Sequence, residues 1–361
     1  MNISRREFLA ASAAGIAASA GRLVTASPAN VGAGLPAEIR VGIIGLEGHY
    51  SDVTGAAKFI PAVRVTGIAD ARPGFSAKGP LASAKVWTDY RKMLAEEKFD
   101  LLCVCGPNGE RAAVLEACAE KRLPIITEKP LALTYTELNA VKRALQRSGA
   151  PFTMLLTMRF TPTYSAMRQI VSAGEIGEVL AMDAQKSYKL GDRPDWMKSR
   201  KTFGGTIPYI GVHMIDLMRW VSGREMTQVA AFQGIVGAPG LGEMENVAAL
   251  TFKLDNGGTA SLRMDYQRPE TATTHGDDRL RVVGTKGIVE YQEREGLTVI
   301  TSTKPLRHVT ELPAVKSLAV DFIESIYLGR PHGLSAADIY RVSAIVLKSR
   351  EAAERGKVVP L

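Results

Sequence analysis

Thr127-Glu128-Lys129-Pro130-Leu131-Ala132-Leu133-Thr134 decides the fold of this chain. The apolar run before it, Leu123 to Ile126, has the length and composition of a buried strand. An acid, a lysine and a proline close that strand. Pro130 favours an extended Lys129 and stops pairing there. Thr134 and Glu137 have the spacing of a capping box, which predicts a helix to about Ser148. Glu128 and Lys129 therefore stand at the carboxyl end of a strand in an α/β sheet, where such sheets place ligands. A lysine there can hydrogen-bond a substrate hydroxyl, or take its proton if burial or a neighbouring cation lowers its pKa. A solvated ion pair at a strand-end turn is the plainer alternative.

Toward the N-terminus the same alternation repeats. Ile39 to Gly45 is a β-branched run suited to a first buried strand. Gly45-Leu46-Glu47-Gly48-His49-Tyr50 follows, with a helix from about Ser51. A dinucleotide fold carries its G-x-G-x-x-G loop at this place. Gly45 fits the first glycine, whereas Glu47 and Tyr50 occupy the second and third. A carboxylate at the second position repels a pyrophosphate by roughly 1–4 kcal/mol at 4 Å. Ala62 to Ala69 is a second strand ending at Asp70. That acid suits a ribose 2′-hydroxyl and NAD, while Arg72 keeps NADP open; a turn or N-cap role for Asp70 is equally compatible. Thr88 is placed to cap a helix to about Glu97. The strand Asp100 to Cys105, the turn Gly106-Pro107-Asn108-Gly109 and a helix from Glu110 to Lys121 complete a parallel, doubly wound sheet over Ile39 to about Thr157.

Beyond Thr157 the texture changes. A helix is expected over Pro162 to Ala173, then a strand from Val179 to Tyr188 and a polar, tryptophan-bearing loop to Phe203. Pro208 suits the first position of a helix reaching Val221. Strand and hairpin signals, including Asn256-Gly257, run from Met226 to Ile300 and predict an open, largely antiparallel sheet. Ser335 and Gly356 bracket a last helix from about Ala336 to Arg355.

The totals are those of a soluble globular protein of two domains: 361 residues, 46% hydrophobic, 23% charged and a net charge of +8. Basic residues form no long run and are not interleaved with aromatics, so no nucleic-acid partner is expected. Three cysteines make no disulfide framework, and Cys103 and Cys105 alternate toward one face of a strand, as core residues do. No Cys/His cluster has metal-ligand spacing, so no metal site is predicted. Ser4-Arg5-Arg6-Glu7-Phe8-Leu9 followed by small residues is a twin-arginine export pattern over residues 1–26, too weakly apolar for stable membrane insertion. It predicts the twin-arginine translocase as a transient partner and an extracytoplasmic, periplasmic location. Residues 27–38 read as a linker, 39–158 as a dinucleotide-binding domain and 159–361 as a substrate and oligomerisation domain.

Taken in order, Gly45 with its loop, Gly106-Pro107-Asn108, Glu128-Lys129-Pro130, Arg159-Phe160, Gly204-Gly205, Gly211-x-His213-x-x-Asp216 and Arg281 to Gly287 resemble the glucose–fructose oxidoreductase, inositol dehydrogenase and MocA (Gfo/Idh/MocA) family over Ile39 to Leu361. The resemblance implies an N-terminal Rossmann domain, a C-terminal α/β domain with a large open sheet, and homo-oligomers, dimers or tetramers, formed through that sheet. It implies NAD or NADP and a sugar or cyclitol held between the domains. It carries Lys129 and His213 over as catalytic residues, with Tyr209 where family members typically have an aspartate and Asp216 at a later acid of structural role. Gly45, Glu47, Gly48, Asp70, Arg72, Pro107, Asn108, Glu128, Lys129 and Arg159 fall at cofactor positions. Either His213, by its natural pKa, or Lys129, if depressed, is the proton acceptor for hydride transfer. A redox-neutral glycoside-processing enzyme and a non-catalytic carbohydrate-binding descendant are the two alternatives.

Overall fold

The computed structural model describes residues 34–72, 74–237 and 240–361. The export pattern and most of the linker lie outside the described residues. Six strands, β1 (Ile39–Ile44), β2 (Val63–Ala69), β3 (Lys85–Trp87), β4 (Leu101–Val104), β5 (Ile125–Thr127) and β6 (Phe152–Met154), pair in parallel in the order β3-β2-β1-β4-β5-β6. This is the doubly wound order expected from the βαβα alternation. Every residue of β4 is buried, as a strand covered on both faces requires. Successive strands step outward from β1 to β3, then β4 returns to the other side of β1. The crevice beyond the carboxyl ends of β1 and β4 is therefore the topological switch point, where such sheets bind ligands.

The helices of this half are α1 (Tyr50–Gly55), α2 (Tyr90–Glu96), α3 (Asn108–Glu120) and α4 (Tyr135–Ser148). α4 has both halves of the Thr134–Glu137 capping box and ends at Gly149 with φ of 67°. Two boundaries differ from expectation. Asp89, not Thr88, caps α2, its carboxylate accepting the Arg91 N–H at 2.8 Å. α3 begins at Asn108 rather than Glu110. Gly109 lies within its first turn because Thr202 packs there; a Cβ would stand 2.9 Å from Thr202 Cα. Edge strand β3 was not foreseen, its three residues being too few for a periodic signal.

The second half pairs nine strands in the order β14-β13-β12-β11-β7-β10-β9-β8-β15. They are β7 (Val179–Ser187), β8 (Met226–Gly234), β9 (Val247–Leu254), β10 (Thr259–Asp265), β11 (Arg279–Gly284), β12 (Gly287–Gln292), β13 (Gly296–Thr301), β14 (Arg307–His308) and β15 (Val359–Pro360). Only β7 and β10 run parallel; the other pairs are antiparallel. The Asn256-Gly257 turn joins β9 to β10, with Gly257 at φ of 89°. Helices α5 (Pro162–Ser172) and α6 (Val212–Ser222) pack on each other and on this sheet, α5 against β12 and α6 against β7.

Sequence periodicity missed α7 (Leu318–Leu328), which Ser317 caps by accepting the Val320 N–H. α8 (Ala336–Arg355) starts and stops where Ser335 and Gly356 place it. These last helices return to the first half. The Ala319 N–H at the start of α7 donates to Asp52 of α1 at 2.8 Å, and α8 packs on α4 and β6. No helix among the described residues is long and apolar enough to cross a membrane.

Candidate active site

The switch-point crevice is a cavity of about 320 Å³ lined by Gly45, Leu46, Glu47, Asp70, Arg72 and Pro107, among others. Gly45 has φ of 74°, and a Cβ there would stand 2.4 Å from Gly106 Cα, so only glycine lets the β1 and β4 loops meet. Asp70 ends β2 at the rim. Arg72 reaches both of its carboxylate oxygens, at 2.9 and 2.6 Å, and the Arg72 N–H adds a third bond at 3.0 Å. The acid is thus paired with a guanidinium rather than capping a helix. Glu47 faces the same cavity, and its N–H is committed to the Cys105 carbonyl at 2.8 Å. It is therefore not a free phosphate donor. The residues fit a dinucleotide by the glycine-only close approach and by the acid–guanidinium pair at the β2 end, where the ribose falls.

The second cluster gathers at the end of β5. Glu128 and Lys129 are buried, and the Lys129–Pro130 peptide is cis. The Glu128 carboxylate accepts from His49 Nδ1–H at 2.8 Å and stands 3.8 Å from Lys129 Nζ. Burial opposes ionisation of Glu128, but His49, Lys129 and Arg111 together hold its pKa below the usual value. Gly48 touches Glu128 rather than the cavity: a Cβ at Gly48 would lie 2.5 Å from Glu128 Oε1. Lys129 Nζ donates to the Tyr209 carbonyl at 2.9 Å and lies 3.6 Å from the centre of the Tyr209 ring. Burial, with Arg111, Lys186 and Arg193 adding to it, lowers the Lys129 pKa to about 8 against the pull of Glu128.

Tyr209 comes from a π-helical turn, Ile207–Gly211, that runs directly into α6, not from the regular helix expected after Pro208. Such turns recur at functional sites. Burial pushes the Tyr209 phenol up to about 12, so it stays neutral at ordinary pH. One turn on, His213 is buried, its Nδ1 has no hydrogen-bond partner, and its ring stands edge-on to His49 at 5.3 Å. Burial, then Lys129 and Lys186, depress its pKa well below the ordinary imidazole value. The structure thus brings Lys129, Tyr209 and His213 together, with Glu128 behind them.

Besides Gly48, two further residues expected at the cofactor lie outside the cavity lining. Arg159 is buried against Asp216, with bonds of 2.5 and 2.6 Å, and reaches Asp338 at 3.3 Å. It lines no part of the cavity and clamps the turn before α5 to α6 and α8. The Asn108 side chain is also buried, donating to the Phe203 carbonyl at 2.9 Å and accepting from Arg111 at 3.0 Å. It joins α3 to the loop before α6. Sequence reasoning missed His49, Arg111 and Lys186. Lys186 had a legible signal, since it shares the core-facing parity of Met182 and Ala184 on β7. Its Nζ donates to Asp278 at 2.7 Å. His49 had only its place after the second glycine.

Residues 39–155 match the oxidoreductase family with an NAD-binding Rossmann fold, and residues 164–290 match the GFO/IDH/MocA C-terminal domain. The chain is 27% identical over 220 residues to the uncharacterized oxidoreductase YrbE of Bacillus subtilis, covering 60% of this chain and 62% of that protein. It is 28% identical over 264 residues to inositol 2-dehydrogenase 2 of Paenarthrobacter aurescens, covering 71% of this chain and 76% of that one. A solved structure from Thermotoga maritima, described as a candidate oxidoreductase, superposes with a TM-score of 0.83 at 31% identity, over 90% of this chain and all of that one. Fold, cavity and sequence matches define an oxidoreductase with an NAD(P)-binding Rossmann domain. The chain belongs to the Gfo/Idh/MocA family.

Proposed function

We propose that this protein oxidises a hydroxyl of a sugar or cyclitol with NAD or NADP, or runs the reverse reduction. The observation that carries the reading is the buried Lys129 at the end of β5, its pKa lowered to about 8, beside the neutral His213. The similarity to an inositol 2-dehydrogenase supports a polyol substrate. The comparisons give no support to a redox-neutral or a non-catalytic reading.

Bound nicotinamide supplies the hydride acceptor. In the oxidation the substrate carbon gives up its hydride and the hydroxyl gives up its proton. Lys129 takes that proton at Nζ. A lysine near pKa 8 has a useful neutral fraction at neutral pH, whereas His213, held far below its usual range, is too weak a base to compete. His213 instead offers a neutral imidazole nitrogen to the substrate oxygen. Tyr209 fixes the Lys129 ammonium through its carbonyl and its ring face, and packs against Phe203 at 5.0 Å. Asp70 and Arg72 hold the adenosine ribose, with Arg72 available to a 2′-phosphate.

The test is turnover on a panel of neutral and acidic sugars and cyclitols with NAD and NADP, followed at the nicotinamide absorbance. Lys129→Met should lose at least 10²-fold in kcat with nucleotide binding retained. Absence of nucleotide reduction across the panel, together with no binding of either nucleotide at millimolar concentration, would reject the reading.

A further inference from the structure

Outside the lining of the nucleotide cavity, the surroundings of Lys129 carry more cations than their carboxylates answer. Lys129 has Glu128 at 3.8 Å, which also serves His49, and Lys186 has Asp278 at 2.7 Å. Arg193, in the loop after β7, has no carboxylate partner among the described residues. One of its terminal nitrogens donates to the Lys189 carbonyl at 2.9 Å, while its Nε is buried with no acceptor. The guanidinium lies over the Tyr266 ring, its Cζ 4.7 Å from the ring centre. Tyr266 lies 6.3 Å from Tyr188, which stacks on His275 at 4.8 Å and has Lys186 Nζ at 4.9 Å. Tyr266 is itself buried, with its hydroxyl lacking a partner. Arg193 and Lys186 are both close enough to Lys129 to act on its charge. Three elements therefore converge on one polar wall: β7 with its following loop, the end of β10, and the segment before β11.

A buried donor without an acceptor and a cation without a counter-ion each cost stability, and one anion corrects both. Neutral hydroxyls can accept from Nε but cannot answer the charge. A planar guanidinium whose Nε–H lacks an acceptor matches a carboxylate, which can take that N–H and a second one beside it. We propose that the substrate is a carboxylated sugar or cyclitol, a uronate or aldonate by chemistry, whose carboxylate is received by Arg193 while its reacting hydroxyl faces Lys129 and His213. This rests on the oxidoreductase reading above and specifies its substrate class.

The experiment titrates nucleotide-saturated protein with D-galacturonate, D-galactose, D-galactose 6-phosphate and myo-inositol by calorimetry. Trp196, whose ring lies 6.3 Å from Tyr209, provides a fluorescence readout of the same site. D-Galacturonate should bind at least tenfold more tightly than D-galactose. Arg193→Met should remove that advantage, bringing D-galacturonate affinity to within twofold of the variant's own affinity for D-galactose. Arg193→Lys, which keeps the charge and loses the fork, should fall between them and guards against a loop that merely collapses. Equal affinity for D-galacturonate and D-galactose overturns the proposal, as does an unchanged galacturonate affinity in Arg193→Met. Tightest binding of the phosphate ester overturns the carboxylate assignment. If neutral polyols turn over and acids do not, the substrate class is wrong and the oxidoreductase reading stands. Absence of turnover and nucleotide binding alike sinks both.

Discussion

Lys129 shows how one buried side chain trades stability for function. Its ordinary value of 10.5 falls to about 8 in the folded protein because burial disfavours the ammonium form. Below pH 8 the lysine is protonated in folded and unfolded states, so the folded state bears the whole penalty. Between about 8 and 10.5 the unfolded chain holds a proton that the folded one has lost, and stability rises with pH. The gap corresponds to roughly 3 kcal/mol at most. Lys129→Met also gives up the Tyr209 contacts, so it should gain about 1–3 kcal/mol at pH 7 in urea denaturation. That gain should shrink toward pH 10.5. For the native enzyme, kcat/KM for oxidation should climb through an apparent pKa near 8. A rate that falls over the same interval would make Lys129 a proton donor rather than an acceptor.

At the scale of elements, the site is held by side chains that never touch a ligand. Arg159 ties the turn before α5 to Asp216 on α6 and Asp338 on α8, burying its charge among carboxylates. Breaking one partner of such a pair leaves the other buried and unpaired, at a cost of about 3–5 kcal/mol. Arg159→Met should lower the unfolding free energy by that amount and shift His213 by moving α6. The double variant Arg159→Met/Asp216→Leu should recover most of the loss, since it leaves no uncompensated acid on α6. If the double variant is as unstable as the single, the packing of the arginine stem matters more than its charge. The π-helical turn bearing Tyr209 belongs to the same scale. It sets Tyr209 over Lys129 while α6 presents His213 to the same point.

Among the described residues, the nine-stranded sheet presents outward-pointing side chains that stay exposed. Phe232 is one of them, 74% exposed and paired across the strand with the exposed Ala249. Burying such a side chain in a contact between copies would contribute roughly 1.5–3 kcal/mol per copy, which makes this strand pair the place to test for assembly. The protein should run as a dimer or tetramer in light scattering at micromolar concentration, and Phe232→Glu should move it toward monomer. A monomeric native protein would remove the sheet as an assembly surface.

The sequence by itself determined the alternation of strands and helices. It also specified both ends of α4 and α8 and the place of Lys129 at a strand end, because these follow from residues close together in the chain. Capping boxes, helix-stopping glycines and apolar periods are local signals, and most of the Rossmann half was legible from them. The start of α3 slipped because Thr202 packs on it from far along the chain, whereas the start of α2 turned on a local choice between neighbouring caps, Thr88 and Asp89, in which the stronger cap is the acid. The parallel pairing of β7 with β10 and the presence of α7 were decided by partners far along the chain. So was the identity of the site's lining. Arg159 left the cofactor and Asn108 turned inward because distant acids and carbonyls satisfied them better than solvent. His49, Lys186 and Arg193 entered because folding brought Glu128, Asp278 and Tyr266 to them. Burial, the quantity that sets the proton affinity of Lys129 and His213, exists only once those distant segments have packed.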